Sequence, residues 1–273
     1  MRRYIYFVFL LCCAVNLLLT SCVRQKYVVM DMVHHNPGEA MTESKFLDPS
    51  FLKKNEYGAK VFFLFEAAQF GIDWKSFDPS LFPATTEAGR WVAEKAEIIH
   101  KKYDAAKKED LQVYCMLDML VLPSLLVEKH RTELTNEQGK LDISKPYTQL
   151  CIRELMKEMF ETFPQLDGLV IRTGETYLHD APYYVGNHPV QNGMYDHITL
   201  INLLREEVCE RRNKKLFYRT WDMGQLHSIP KYYLSVTDSI EPHPNLYFSI
   251  KHTMTDFWRS AITDPDMNYN TCL

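Results

Sequence analysis

Asp167-Gly168-Leu169-Val170-Ile171-Arg172-Thr173-Gly174-Glu175 is the stretch that decides the fold. A short apolar run bounded by glycine and polar residues reads as a strand covered on both faces, as in a parallel sheet. A charge inside such a sheet is expensive, so Arg172 has to sit at the rim or meet an anion. Gly174 then lets the chain turn sharply before Glu175. The same pattern returns twice downstream. Lys215–Thr220 carries Arg219 near its end, followed by Trp221 and Asp222. Leu246–Ile250 runs into Lys251 and His252, with Thr255, Asp256, Phe257 and Trp258 soon after.

Upstream, Tyr27–Val33, Lys60–Phe65 and Leu111–Leu117 read as three earlier strands, rich in β-branched and aromatic residues. Helical segments are predicted at Asp48–Glu56, Thr86–Lys108, Ser144–Phe163, Asp196–Arg212 and Pro230–Ser239. The longest of them repeats apolar residues at helical spacing through Trp91, Ala96, Ile98, Ile99 and Tyr103. No Asn-Gly hairpin joins any pair of strands, and helices separate them, so the strands should be parallel. Neither a GxGxxG nor a GxxxxGK[ST] motif follows the first strand, which disfavours a nucleotide-binding doubly wound sheet. The predicted fold is a (β/α)8 TIM-barrel type with about six βα units in this chain. Its last two units are expected to be missing at the C-terminal end.

The N-terminus reads as an address. Arg2 and Arg3 precede an apolar stretch, Tyr4–Leu19, broken only by Asn16, and Leu19-Thr20-Ser21-Cys22 follows. This is the layout of a secretory signal, and at 16 residues the stretch is short of the roughly 20 that span a bilayer. Its ending resembles a bacterial lipobox, which implies lipidation of Cys22 after cleavage. The expected organisation is a signal peptide at 1–21, a lipidated cysteine and tether at 22–26, and the barrel at 27–273. The protein is expected outside the cytoplasm, anchored to a membrane on the periplasmic or cell-surface side.

The chain has 273 residues, 46% of them hydrophobic and 24% charged, enough apolar surface to exclude disorder. Without the signal, 29 basic residues face 35 acidic ones, and a net charge of −6 is a poor match to a phosphate backbone. Nucleic acid is therefore not an expected partner. Seven cysteines occur without a CxxC pair, and Cys115, Cys151 and Cys209 sit in apolar or helical patterns, as buried free thiols do. The ten histidines show no HExxH spacing, so neither a metal nor a cofactor is expected. No GxSxG motif supports serine catalysis.

In a barrel the C-terminal strand ends converge on one pocket. Arg172, Arg219 and Lys251 would meet there, with Glu175 and Asp256 close by. Three cations exceed what two carboxylates balance, and a planar carboxylate ligand suits an arginine fork. Two carboxylates across a pocket are also what glycoside hydrolysis requires. The alternative is that these charges form rim salt bridges. Glu66 and Asp118 end strands two and three and can contact sugar hydroxyls or cap the following segment. Trp74, Trp221, Trp258, Tyr177, Tyr183 and Tyr184 can stack on sugar faces or pack internally. The turn-rich segment Tyr177–Pro189 is placed to act as a lid.

The segment DGLVIRTGE, the strand ending in Arg219 and the stretch IKHTMTDFW resemble the catalytic barrel of the family 67 α-glucuronidases. The resemblance implies that Glu175 is the general acid and Asp256 the base that activates water. It further implies that Arg172, Arg219 and Lys251 hold a uronate carboxylate, with inversion of configuration. The interval from Arg172 to Glu175 is one residue shorter than the family's. The family's large domain before the barrel has no counterpart here, and its seventh-strand acid would fall beyond Leu273. For Glu175 to act as an acid it must be protonated while Asp256 is ionised. Arg172 opposes this unless a substrate carboxylate neutralises it first. The expected activity is hydrolysis of α-linked glucuronic acid, or a related uronic acid, from oligosaccharides. The competing expectation is a non-catalytic carbohydrate-binding lipoprotein or inactive fragment on the same barrel.

Overall fold

The computed structural model describes residues 28–31, 44–63, 66–173, 176, 178, 180–220, 226 and 229–250. Eight strands are present among them. They are β1 (Met30–Asp31), β2 (Ala59–Phe62), β3 (Gln112–Asp118), β4 (Val121–Pro123), β5 (Gly168–Arg172), β6 (Tyr184–Gly186), β7 (Lys215–Arg219) and β8 (Leu246–Ser249). The α-helices are α1 (Pro49–Lys54), α2 (Glu87–Lys108), α3 (Ser124–Lys129), α4 (Arg131–Leu134), α5 (Pro146–Thr162), α6 (Met194–Leu204) and α7 (Pro230–Thr237).

Six strands form one parallel sheet in the spatial order β1-β2-β3-β5-β7-β8. That order decides between the two architectures the sequence allows. A doubly wound sheet reverses its strand order at a switch point, whereas here each main-sheet strand lies beside its predecessor throughout. The sheet is a curled, barrel-type (β/α) sheet of six strands, a partial TIM barrel. Five of the six predicted strands lie within one to three residues of their observed ends. Of the first, residues 28–31 are described and Met30–Asp31 of them is strand, while the rest of its predicted span lies outside the described residues.

Strand periodicity sorts the side chains onto two faces. Val113, Cys115, Leu117, Leu169, Ile171, Leu216 and Tyr218 pack in the large core toward the helices. Ala59, Val61, Tyr114, Met116 and Val170, with Phe217 against them, form a second cluster on the other face, the barrel interior. Phe217 stands edge-on to Tyr114 at 5.4 Å and stacks on Tyr247 at 4.8 Å, extending that face to the last strand.

Local signals explain the helices. Thr86 caps α2 by accepting from the Gly89 amide at 3.0 Å. The buried stripe of α2 is Val92, Ile99, Tyr103 and Ala106; Ile98, expected on that stripe, is 46% exposed. Pro146 opens α5, where a missing N–H costs nothing. The helix predicted over Asp196–Arg212 is α6 followed by a π-helical turn at Arg205–Glu210. In that turn the buried Glu207 meets Arg153 at 2.6 Å and Arg212 at 2.9 Å. Cys115, Cys151 and Cys209 are buried free thiols, and burial pushes each of them up, to about 12, about 12 and about 11.

The sequence reading missed one feature. Strands β4 and β6 form an antiparallel ribbon that joins the segments after β3 and β5. Paired hydrogen bonds of 3.0 Å between Leu120 and Asn187 extend it. The segment expected to act as a lid, Tyr177–Pro189, is therefore held to the strand-three loop through Tyr184–Gly186; Tyr177 and His179 lie outside the described residues. Among the described residues no helix is long and apolar enough to cross a membrane. The signal region and Cys22 lie outside them.

Candidate functional site

Parity along the strands builds the site. Two residues past Met116, Val170 and Phe217, all on the interior side, come Asp118, Arg172 and Arg219, the last residues of β3, β5 and β7. Side chains two apart share a face, so these three charges stand together at the C-terminal rim of the interior. Asp118 and Arg172 are direct register partners across β3 and β5. The Arg172 guanidinium forks onto the Asp118 carboxylate. Nη2 donates to Oδ2 at 2.6 Å, and Nε donates to Oδ1. The side chains are 12% and 8% exposed, so the pair is nearly removed from water. Bidentate geometry of this kind holds both groups in one orientation.

Arg219, one strand over, reaches back across the interior until Nη1 lies 3.5 Å from the Met116 sulfur. Gln69 and Phe70 approach the ion pair from the 3₁₀ turn Ala68–Gly71 that follows β2. That turn is clamped from several sides. The Ala68 amide donates to the Cys115 sulfur at 3.1 Å, and the Tyr184 hydroxyl donates to the Gln69 carbonyl at 3.3 Å. A side chain on Gly71 would come within 2.8 Å of the Phe163 ring and 3.0 Å of the Ala96 backbone. The turn Ala68–Gly71 is thus tied both to β3 and to Tyr184 of the β4–β6 ribbon at one corner of the rim.

The other predicted residues fall as follows. Glu66 is turned toward the helical layer, where its carboxylate is bonded to Lys102 of α2 and its carbonyl accepts from Tyr103 at 2.9 Å. Trp74 is fully buried and Tyr184 is 5% exposed, so both are core residues, not sugar platforms. Tyr184 packs edge-on against Phe70 at 5.0 Å, and Tyr183 stands against Trp91 at 5.7 Å. Glu175, Asp256, Lys251, Trp221 and Trp258 lie outside the described residues. Among the described residues no cluster of three or more His, Cys, Asp or Glu is arranged to hold a metal.

The charge arithmetic changes once Asp118 is included. Arg172 has a carboxylate of this chain on its fork, so of the three cations expected at the rim it already has a counter-ion within the chain. The sequence could not show this, because the pair joins residues 54 positions apart. Gln69 was missed altogether. Its only local signal is a polar residue inside the apolar stretch Ala67–Ile72.

No protein-family model matches the chain, and no curated protein matches it. Among solved structures it is similar to a glycoside hydrolase family 138 enzyme targeting pectin rhamnogalacturonan II. That match has a TM-score of 0.43 and 15% identity, over 83% of this chain and 25% of the other. It is also similar to dispersin B, with a TM-score of 0.42 and 13% identity over 81% of this chain and 62% of that one. A third is a glycoside hydrolase family 5 enzyme from Prevotella bryantii, with a TM-score of 0.42 and 10% identity over 84% and 61%. The chain spans less than two thirds of the length of each of these structures.

Proposed function

We propose that the C-terminal face of this barrel binds a uronic-acid-bearing oligosaccharide and hydrolyses its α-linked uronic acid. The observation that carries the reading is the placement of Asp118, Arg172 and Arg219 on one interior rim, at the ends of neighbouring strands. In this reading Glu175 protonates the departing oxygen and Asp256 activates water. Arg219 and Lys251 take the uronate carboxylate, and Trp221 lines the sugar. Arg172 has a different part from the one its sequence suggests. Held by Asp118, it orients polar groups of the ligand and no longer presents a bare cation to Glu175. An uncompensated guanidinium would favour the ionised acid, so the pair supports the protonated state that general-acid catalysis needs. Cys22 would tether the protein to a membrane outside the cytoplasm.

A second reading is binding without turnover. The Asp118–Arg172 pair favours it, because the Asp118 carboxylate at this rim is committed to the arginine fork and is not free to serve as an acid or base.

Calorimetry with glucuronic acid and glucose on the wild type and Arg219→Ala tests the site, and turnover of an α-glucuronoside by wild type and Glu175→Gln tests the chemistry. The expected result is uronate-selective binding that Arg219→Ala abolishes, with turnover lost in Glu175→Gln while binding is kept. Selective binding with no wild-type turnover would establish the second reading. Absence of selective binding by a folded protein refutes the uronate site.

A further inference from the structure

Gln69 is 3% exposed, and its side-chain Oε1 is buried with no hydrogen-bond donor. A buried acceptor left unmade is costly, and folded proteins rarely keep one without a reason. Gln69 lines a small pocket with Phe63, Phe70, Met116, Asp118 and Arg172. The centre of a water-sized group has about 10 Å³ in which to sit there, so the pocket admits a small group at its bottom. A whole sugar ring does not fit; the tip of one does.

We infer that Gln69 reads a single ring hydroxyl of the ligand, an assignment that rests on the reading of this face as a carbohydrate site. A hydroxyl has one donor and two acceptor lone pairs. Entering the pocket, it donates to Gln69 Oε1 and turns its lone pairs toward the Arg172 guanidinium. Asp118 fixes that guanidinium and the clamped turn fixes the Gln69 backbone, so only a turn of the Gln69 side chain is needed when the ligand arrives. Pre-placement of this kind lowers the cost of binding. The chemical preference is then specific. The pocket accepts a neutral group that is small and can donate, and it rejects a methyl ether on size. It also rejects a fluorine, which has the size of a hydroxyl but no proton to give.

The test is calorimetric binding of glucuronic acid and its 2-, 3- and 4-deoxyfluoro analogues to wild type, Gln69→Leu and Gln69→Met, with thermal melts of the ligand-free proteins. In the wild type one analogue should bind about tenfold more weakly than the other two. In both variants that discrimination should disappear while the other analogues bind as before. The ligand-free variants should melt at or above the wild-type temperature, because an unsatisfied acceptor has been removed. A merely structural glutamine would instead lower the melting temperature and leave discrimination intact. Discrimination that persists in either folded variant overturns the assignment to Gln69 alone. A folded wild type that binds none of the four sugars overturns the carbohydrate reading, and the Gln69 assignment falls with it.

Discussion

Asp118→Ala is the substitution whose consequence the structure lets us work out most fully. It removes the carboxylate from a forked ion pair whose members are 8% and 12% exposed. The lost attraction is only part of the effect. Arg172 remains at the end of a central strand, largely desolvated and without the carboxylate that its fork grips. Breaking a buried pair by removing one partner costs about 3–5 kcal/mol, and the residual exposure puts this case near the lower end. Truncating both residues, Asp118→Ala with Arg172→Met, removes the stranded charge and should recover much of the loss. The resulting coupling energy is expected at about 2 kcal/mol. Urea denaturation followed by circular dichroism on the four proteins of the cycle provides the measurement. A coupling below about 0.5 kcal/mol, the level of an exposed surface pair, would refute the reasoning. Arg172 would then be a solvated rim charge, and the site would have to be rebuilt around Arg219.

Two further outcomes follow from the packing and the electrostatics. Gly168→Ala should prevent folding or cost more than about 3 kcal/mol, since a Cβ there would lie 2.1 Å from the Lys215 carbonyl oxygen, where β5 and β7 pair; soluble expression and a normal melt would contradict this. Asp78 is held down to about 2, first by its hydrogen bond with Lys129 at 2.8 Å and then by Ser80. A carboxylate depressed in the folded state contributes stability that is complete above its unfolded value and is lost as pH falls through the folded one. Asp78→Asn should therefore flatten the loss of stability between pH 3.8 and about 2, and unchanged acid melts would show that the Lys129 contact carries no stability.

What was legible in the sequence is what depends on neighbours along the chain. The apolar runs at 112–118, 168–172, 215–219 and 246–249 and the capped, periodic segment at 87–108 announced themselves, because strand and helix periods are local properties. So did the cations closing successive strands, since a charge within a sheet needs a buried partner, as Lys60 finds in Asp31 at 3.2 Å. The decisions left to the tertiary structure all concern partners distant in sequence. Strand order, and with it the choice of a barrel over a doubly wound sheet, depends on which strand each crossover returns to. Asp118 became the counter-ion of Arg172 through a register match across β3 and β5, while Glu66 turned to Lys102 on α2. Tyr184 joined the core because the β4–β6 ribbon drew its loop inward, against Phe70 and Phe82. Gln69 acquired meaning only once its turn was pressed against the ion pair, where burial makes an unmet hydrogen bond matter. Composition and spacing set which groups are present; the fold alone set which of them meet out of water.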